Sequence, residues 1–354
     1  MKLLTDSAKV QTWYRKPLEG RASSNGKPYA ITLKKGTVNK LLVNFFGGGF
    51  SWNKETAARP MTLSRIAGNK EWFYVPHLPN IQLNSIHIGL LSAKDKRNPF
   101  YDWNILGIPY TTADFHIGDS EFEYQNAKGE RKILYHNGIK NVEAALDVMK
   151  GYFSETPDAL VIAGQSAGGF GCVANCPKIA NIYPDCENIV VYSEGSHLRS
   201  PVLQETARSV WKANSDLTSH LNSNDLIADL FNYAQDNMPA HTLFLHSNSI
   251  WDKALVEFMY KMNHGKLEVN NQALNEFHQS LLDVTKRLKS EIRNYNFYLT
   301  DYDKKDKSGT TPHIFSGNPK LIYGKMQDGV SLAEWLCRAI SGKPTNVGEV
   351  FLQK

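Results

Sequence analysis

The chain has 354 residues, 42% hydrophobic and 21% charged, with 25 Gly and 15 Pro; this globular composition excludes disorder, collagen and low-complexity linkers. Its 40 Lys and Arg against 35 Asp and Glu leave a net charge of +5. The basic residues are scattered, so no patch or motif points to a nucleic-acid partner.

The opening Met1-Lys2-Leu3-Leu4-Thr5-Asp6 lacks the apolar stretch of about 7–15 residues that marks a signal peptide. No apolar run reaches the roughly 18 residues of a membrane span. Residues 41–46 read as a buried strand that runs into Gly47-Gly48-Gly49-Phe50. Ile139, Val142, Leu146, Met149 and Phe153 recur at helical spacing and predict a helix over 139–153. The apolar run 159–163 suits a central parallel strand. It leads into Gly164-Gln165-Ser166-Ala167-Gly168-Gly169 and then a helix-compatible stretch, 170–179. Further strands are expected at 189–193, 242–246 and 295–300, with helices near 203–213, 225–237, 252–262 and 270–292. Residues 301–312 form a polar loop just before His313. Ser331 and Glu334 are spaced as a capping box for a last helix, which Gly342 ends. Strand and helix in alternation mean an α/β fold with a mainly parallel central sheet and helices on both faces. No repeat or linker divides it. The spacing of Cys172, Cys176, Cys186 and Cys337 fits no standard zinc pattern, so inert thiols and no metal are expected.

The strongest local signal is the G-x-S-x-G pattern around Ser166, set between strand and helix as a nucleophile elbow requires. The glycines let the turn tighten until the hydroxyl stands clear of the sheet. Acyl transfer also needs donors for an oxyanion. α/β-hydrolases take one from the residue after the nucleophile and another from a glycine-rich loop after an earlier strand. Ala167 is the first candidate, and Gly49 and Phe50 are the second. No Gly-Lys-Ser/Thr follows these glycines, so a phosphate loop is excluded. In this fold an acid and then a histidine follow the serine. Asp252 comes soon after the 242–246 strand and is also placed to cap the next helix. Three histidines follow it. His278 falls in a helical stretch and His264 at a helix end beside Gly265; His313 follows the polar loop and is the expected base. Asp301, Asp303 and Asp306 are the alternative acids, in a more solvated setting.

These motifs, taken in order, resemble the pectin acetylesterase/Notum family of serine carboxylester hydrolases. The residues that carry the resemblance are Gly47-Gly48-Gly49-Phe50-Ser51, Trp103 to Tyr110, Asp114 to Asp119, Gly164 to Gly169, Ile250-Trp251-Asp252 and Thr311-Pro312-His313. They span residues 41 to about 316. Three positions depart from the family pattern: Phe50 replaces Trp, and Ser51 and Gln165 replace Cys. The chain thus lacks the disulfide framework of secreted relatives, which with its few cysteines implies a cytoplasmic location.

The resemblance implies an α/β-hydrolase-like catalytic domain over 1–354. The expected reaction is removal of acetyl groups from a carbohydrate ester through Ser166, His313 and Asp252, without cofactor or metal. The alternatives are a lipase or depalmitoleoylase-like fatty acyl esterase, and a catalytically silent binding protein. Asp114 and His116 are expected to line the substrate cleft. Trp52, Trp103 and Trp251 either floor a sugar site or pack. No long apolar groove is readable, so acetyl esters are expected to outrun octanoyl esters.

Overall fold

Parallel strands form the middle of the computed structural model, which describes residues 1–5 and 8–353. In chain order the strands are β1 (Lys2–Leu3), β2 (Trp13–Ala22), β3 (Pro28–Lys34), β4 (Lys40–Phe45), β5 (Asn104–Ile108), β6 (Ser120–Gln125), β7 (Arg131–His136), β8 (Ala159–Gln165), β9 (Ile189–Glu194), β10 (Leu243–Ser249) and β11 (Tyr295–Thr300). Nine of them make one sheet in the order β1-β2-β3-β5-β4-β8-β9-β10-β11, and β6 and β7 form a separate hairpin. From β5 to β11 every neighbour is parallel. β3 pairs antiparallel with both β2 and β5.

Both faces of the central strands are buried, which explains their unbroken apolar runs. Leu41, Val43, Leu160, Ile162 and Val191 enter one core with the helices Gly138–Tyr152, Ala167–Ala180, Leu226–Asn237, Lys253–His264 and Asn271–Glu291. Leu42, Val161, Val190, Leu245 and Tyr298 enter the other, beneath Pro319–Tyr323 and Leu332–Ile340. The architecture is therefore α/β with helices on both faces. Among the described residues no helix is long and apolar enough to cross a membrane.

The expected strands and helices from 139 onward are present with small shifts in their ends. One differs in kind. The stretch 203–213 is a single turn, Val202–Glu205, followed by a π-type turn over Thr206–Val210. It closes on fully buried Trp211, whose carbonyl accepts from Asp119 N–H and whose indole donates to Ser51 O (2.7 Å). Tertiary hydrogen bonds override helical periodicity here. Half of the expected capping box is present: Ser331 Oγ accepts from Glu334 N–H (3.1 Å), while the Glu334 carboxylate pairs with Arg338; Gly342 beyond the helix end has φ +74°.

Candidate active site

Ser166 sits between β8 and the helix Ala167–Ala180, at φ +55° and ψ −125°. A residue with a side chain is rarely held at positive φ, and the surrounding bonds impose it. Its N–H donates to Glu194 O on β9 (2.8 Å), and its carbonyl accepts from Gly169 N–H (2.8 Å). A Cβ on Gly164 would run into the Gly168 carbonyl, and one on Gly168 into the Phe45 carbonyl. The turn closes only with glycine at both places. Gln165, where the family pattern has Cys, instead exchanges amide hydrogen bonds with Asn44 on β4 (2.9 and 3.3 Å).

Asp252 follows β10 and is wholly buried. One carboxylate oxygen accepts from Leu255 N–H (3.0 Å) and caps the helix Lys253–His264. The other meets His313 Nδ1 at 2.6 Å. Burial raises the Asp252 carboxyl above its usual range, against the pull of His313. Burial works against a charged His313, but Asp252 and then Glu194 outweigh it, so the imidazole is more basic than usual. The bond to Asp252 occupies Nδ1 and leaves Nε2 as proton acceptor. Ser166 and His313 line one cavity. Of the alternative acids, Asp303 pairs with Lys305 (2.6 Å), and it lies with Asp301 and Asp306 on an exposed loop.

The glycine turn after β4 borders the same cavity, as does Ala167. Ala167 opens its helix, where first-turn N–H groups lack intrahelical partners. Gly49 has φ +75°. Phe50 corrects an expectation: its N–H donates to Phe73 O (2.7 Å), so it is not free for an oxyanion. Together with Val75 N–H to Gly48 O (2.9 Å), this bond zips the turn against residues 73–75. The Phe50 ring is a cavity wall instead, packed on Phe115 (4.6 Å between centroids) and Phe258 (5.2 Å).

Asp114 and His116 are also placed differently from expectation: both are buried outside the cavity lining. Asp114 accepts from Gly138 N–H (2.8 Å), His116 N–H (3.0 Å) and Thr112 Oγ1 (2.6 Å). A buried carboxyl needs such partners, and these spend it on a loop and a helix start. Burial lifts it to about 7 and lowers His116 to about 4. His116 Nε2 donates to Phe46 O (2.9 Å) and buttresses the glycine turn from behind. Phe115, between them, is the residue that reaches the cavity.

The cavity measures about 390 Å³. Its walls include Trp72, Ile88, Leu91, Phe170, Leu198 and Phe258. This apolar lining supplies the acyl-binding surface that could not be read from the sequence. Phe170 lies four residues past Ser166, but the others come from separate segments with no local signal. Trp52 and Trp103 are buried packing residues, and Trp251 stacks on His278 (4.0 Å). Trp72 is the tryptophan at the site, and nothing in its sequence setting marks it.

Residues 19–294 match the sequence model of the pectinacetylesterase family. The chain belongs to that family. It is 25% identical over 162 residues to the palmitoleoyl-protein carboxylesterase Notum of Mus musculus, and 26% over 161 residues to that of Homo sapiens. These matches cover 45% and 44% of this chain and 29% of each relative, so the chain matches under a third of their length. The crystal structure of the Wnt deacylase Notum from Drosophila superposes with a TM-score of 0.61 at 15% identity, covering 93% of this chain and 92% of that one. That likeness establishes the α/β-hydrolase-like fold. The kinship also corrects the cytoplasmic expectation: Notum and the pectin acetylesterases are secreted enzymes. The cysteine argument failed because a core this large holds without disulfides; Cys172, Cys176 and Cys186 are simply buried and free.

Proposed function

We propose that this pectinacetylesterase-family chain is a serine carboxylester hydrolase, one catalytic domain acting on acyl esters with Ser166, His313 and Asp252. The observation that carries this reading is the 2.6 Å contact of His313 with Asp252 beside the cavity that Ser166 also lines. His313 Nε2 takes the hydroxyl proton as Ser166 Oγ attacks the ester carbonyl. Asp252 holds the ring's tautomer and stabilises the imidazolium. The N–H groups of Ala167 and Gly49 receive the negative oxygen. His313 returns the proton to the leaving alcohol, and water, activated by the same base, releases the acid and frees Ser166.

Acetylated carbohydrate is the substrate class that family membership supports. A second reading, a longer acyl ester, is favoured by the apolar cavity and by the palmitoleoyl-protein carboxylesterases among the relatives. Fluorophosphonate labelling tests the enzyme reading. The expected adduct is on Ser166 and is lost in Ser166→Ala; an unlabelled wild-type protein would leave only a binding role.

A further inference from the structure

Glu194 ends β9, one strand from the nucleophile and one from the acid, and its side chain is fully buried. A buried carboxylate is costly unless hydrogen-bonded. Its carboxylate takes its hydrogen bonds from the loop that follows His313. One oxygen accepts from Phe315 N–H (2.7 Å) and Ser316 N–H (3.0 Å), and the other accepts from Ser316 Oγ. The same residue's carbonyl receives the Ser166 N–H. Gly195 completes the junction: its N–H donates to Ser247 O on β10 (2.9 Å), and at φ +58° it lies against the His313 carbonyl and ring. The Ser316 carbonyl in turn accepts from Leu90 N–H (3.0 Å), in the cavity wall.

We propose that Glu194 is a positioning residue for the base, its carboxylate locking the His313 loop to the nucleophile elbow and placing a second negative charge beside the imidazole. This rests on the esterase reading. Asp252 orients the ring directly through Nδ1, whereas Glu194 acts through the backbone on the other side. Three donors favour its ionised form over the neutral acid. The charged groups that act on the base are Asp252 and Glu194; Lys253 and Glu257 lie further along the Asp252 helix and face each other, and the Tyr192 hydroxyl on β9 bonds Ser247. Burial raises the Glu194 carboxyl above its usual range, while Ser316, Phe315 and His313 pull it down.

The test compares Glu194→Gln, which keeps the shape, with Glu194→Asp, which keeps the charge. The His313 ring is followed by NMR titration of histidine-labelled protein, its signal assigned with His313→Gln. In Glu194→Gln the His313 pKa is expected to fall by about half a unit or more, while in Glu194→Asp it stays within about 0.2 unit of wild type. The acid limb of kcat/KM should follow, and kcat should drop about tenfold in Glu194→Gln with KM within about threefold. An unmoved His313 titration in Glu194→Gln overturns the proposal. Because the titration needs no turnover, it separates that failure from a failure of the esterase reading. If Glu194→Gln does not fold, Ser316→Ala takes its place, removing one donor and keeping the charge. It is expected to lower kcat with the acid limb in place, and an unchanged kcat overturns the proposal.

Discussion

Ser166 is the side chain whose removal should be felt most and disturb the fold least. It is small and faces the cavity, so Ser166→Ala should lower ester hydrolysis by about 10³-fold or more with an unchanged urea midpoint. Turnover of p-nitrophenyl acetate within tenfold of wild type would remove it as nucleophile. Asp252→Asn should cost far more activity than Asn at 301, 303 or 306, because Asp252 alone of these four contacts His313. Equal, mild effects at all four would dismiss it. The base must be neutral to take the serine proton, so kcat/KM falls as pH drops through the His313 pKa. Asp252 and Glu194 raise that pKa, so the acid limb should lie above the ordinary imidazole value of about 6.5. A kcat/KM profile against pH at constant ionic strength checks this. The residue types of the candidates Ser166, Asp252 and His313 were legible because the chemistry demands them, and their order because this fold sets it. The status of Phe50 was not: whether an N–H is free depends on which carbonyl lies opposite, here Phe73.

The elbow as an element depends on backbones that nearly touch. Gly164→Ala should therefore destabilise by more than about 2 kcal/mol, since its new methyl meets a carbonyl that cannot yield. Gly151, exposed in the helix Gly138–Tyr152, has open space around it. There Ala should stabilise by about 0.5–1 kcal/mol. Urea midpoints of both variants test the contrast. The central strands were readable because burial on two faces leaves a continuous apolar run. β2 was not: few of its ten residues are buried, and its pairing slips between Pro17 and Ala22. Neither an apolar run nor a clean alternation survives. β6 does alternate Phe122 and Tyr124 with Glu121 and Glu123, a period-two signal in a short hairpin outside the main sheet.

At the scale of the molecule, substrate choice is set by cavity walls that come from segments far apart in sequence. Trp72, Leu91, Phe170, Leu198 and Phe258 converge from five segments onto the space beside Ser166. Each further CH₂ buried there contributes about 0.8 kcal/mol, roughly fourfold in kcat/KM. On the longer-acyl reading, kcat/KM on p-nitrophenyl esters rises at least tenfold from acetyl to octanoyl. A fall along that series would restrict the site to acetyl esters. The sequence alone determined the α/β class and the strand–turn–helix around Ser166, because these rest on periodicity and spacing within short stretches; the candidate order of Ser166, Asp252 and His313 it took from the fold's chain-order rule. Only the tertiary structure decided that Asp114 and His116 serve the scaffold, that Phe50 is a wall, that the cavity is apolar and that Glu194 reaches the His313 loop. Those outcomes depend on contacts between segments tens to hundreds of residues apart, which no local pattern encodes.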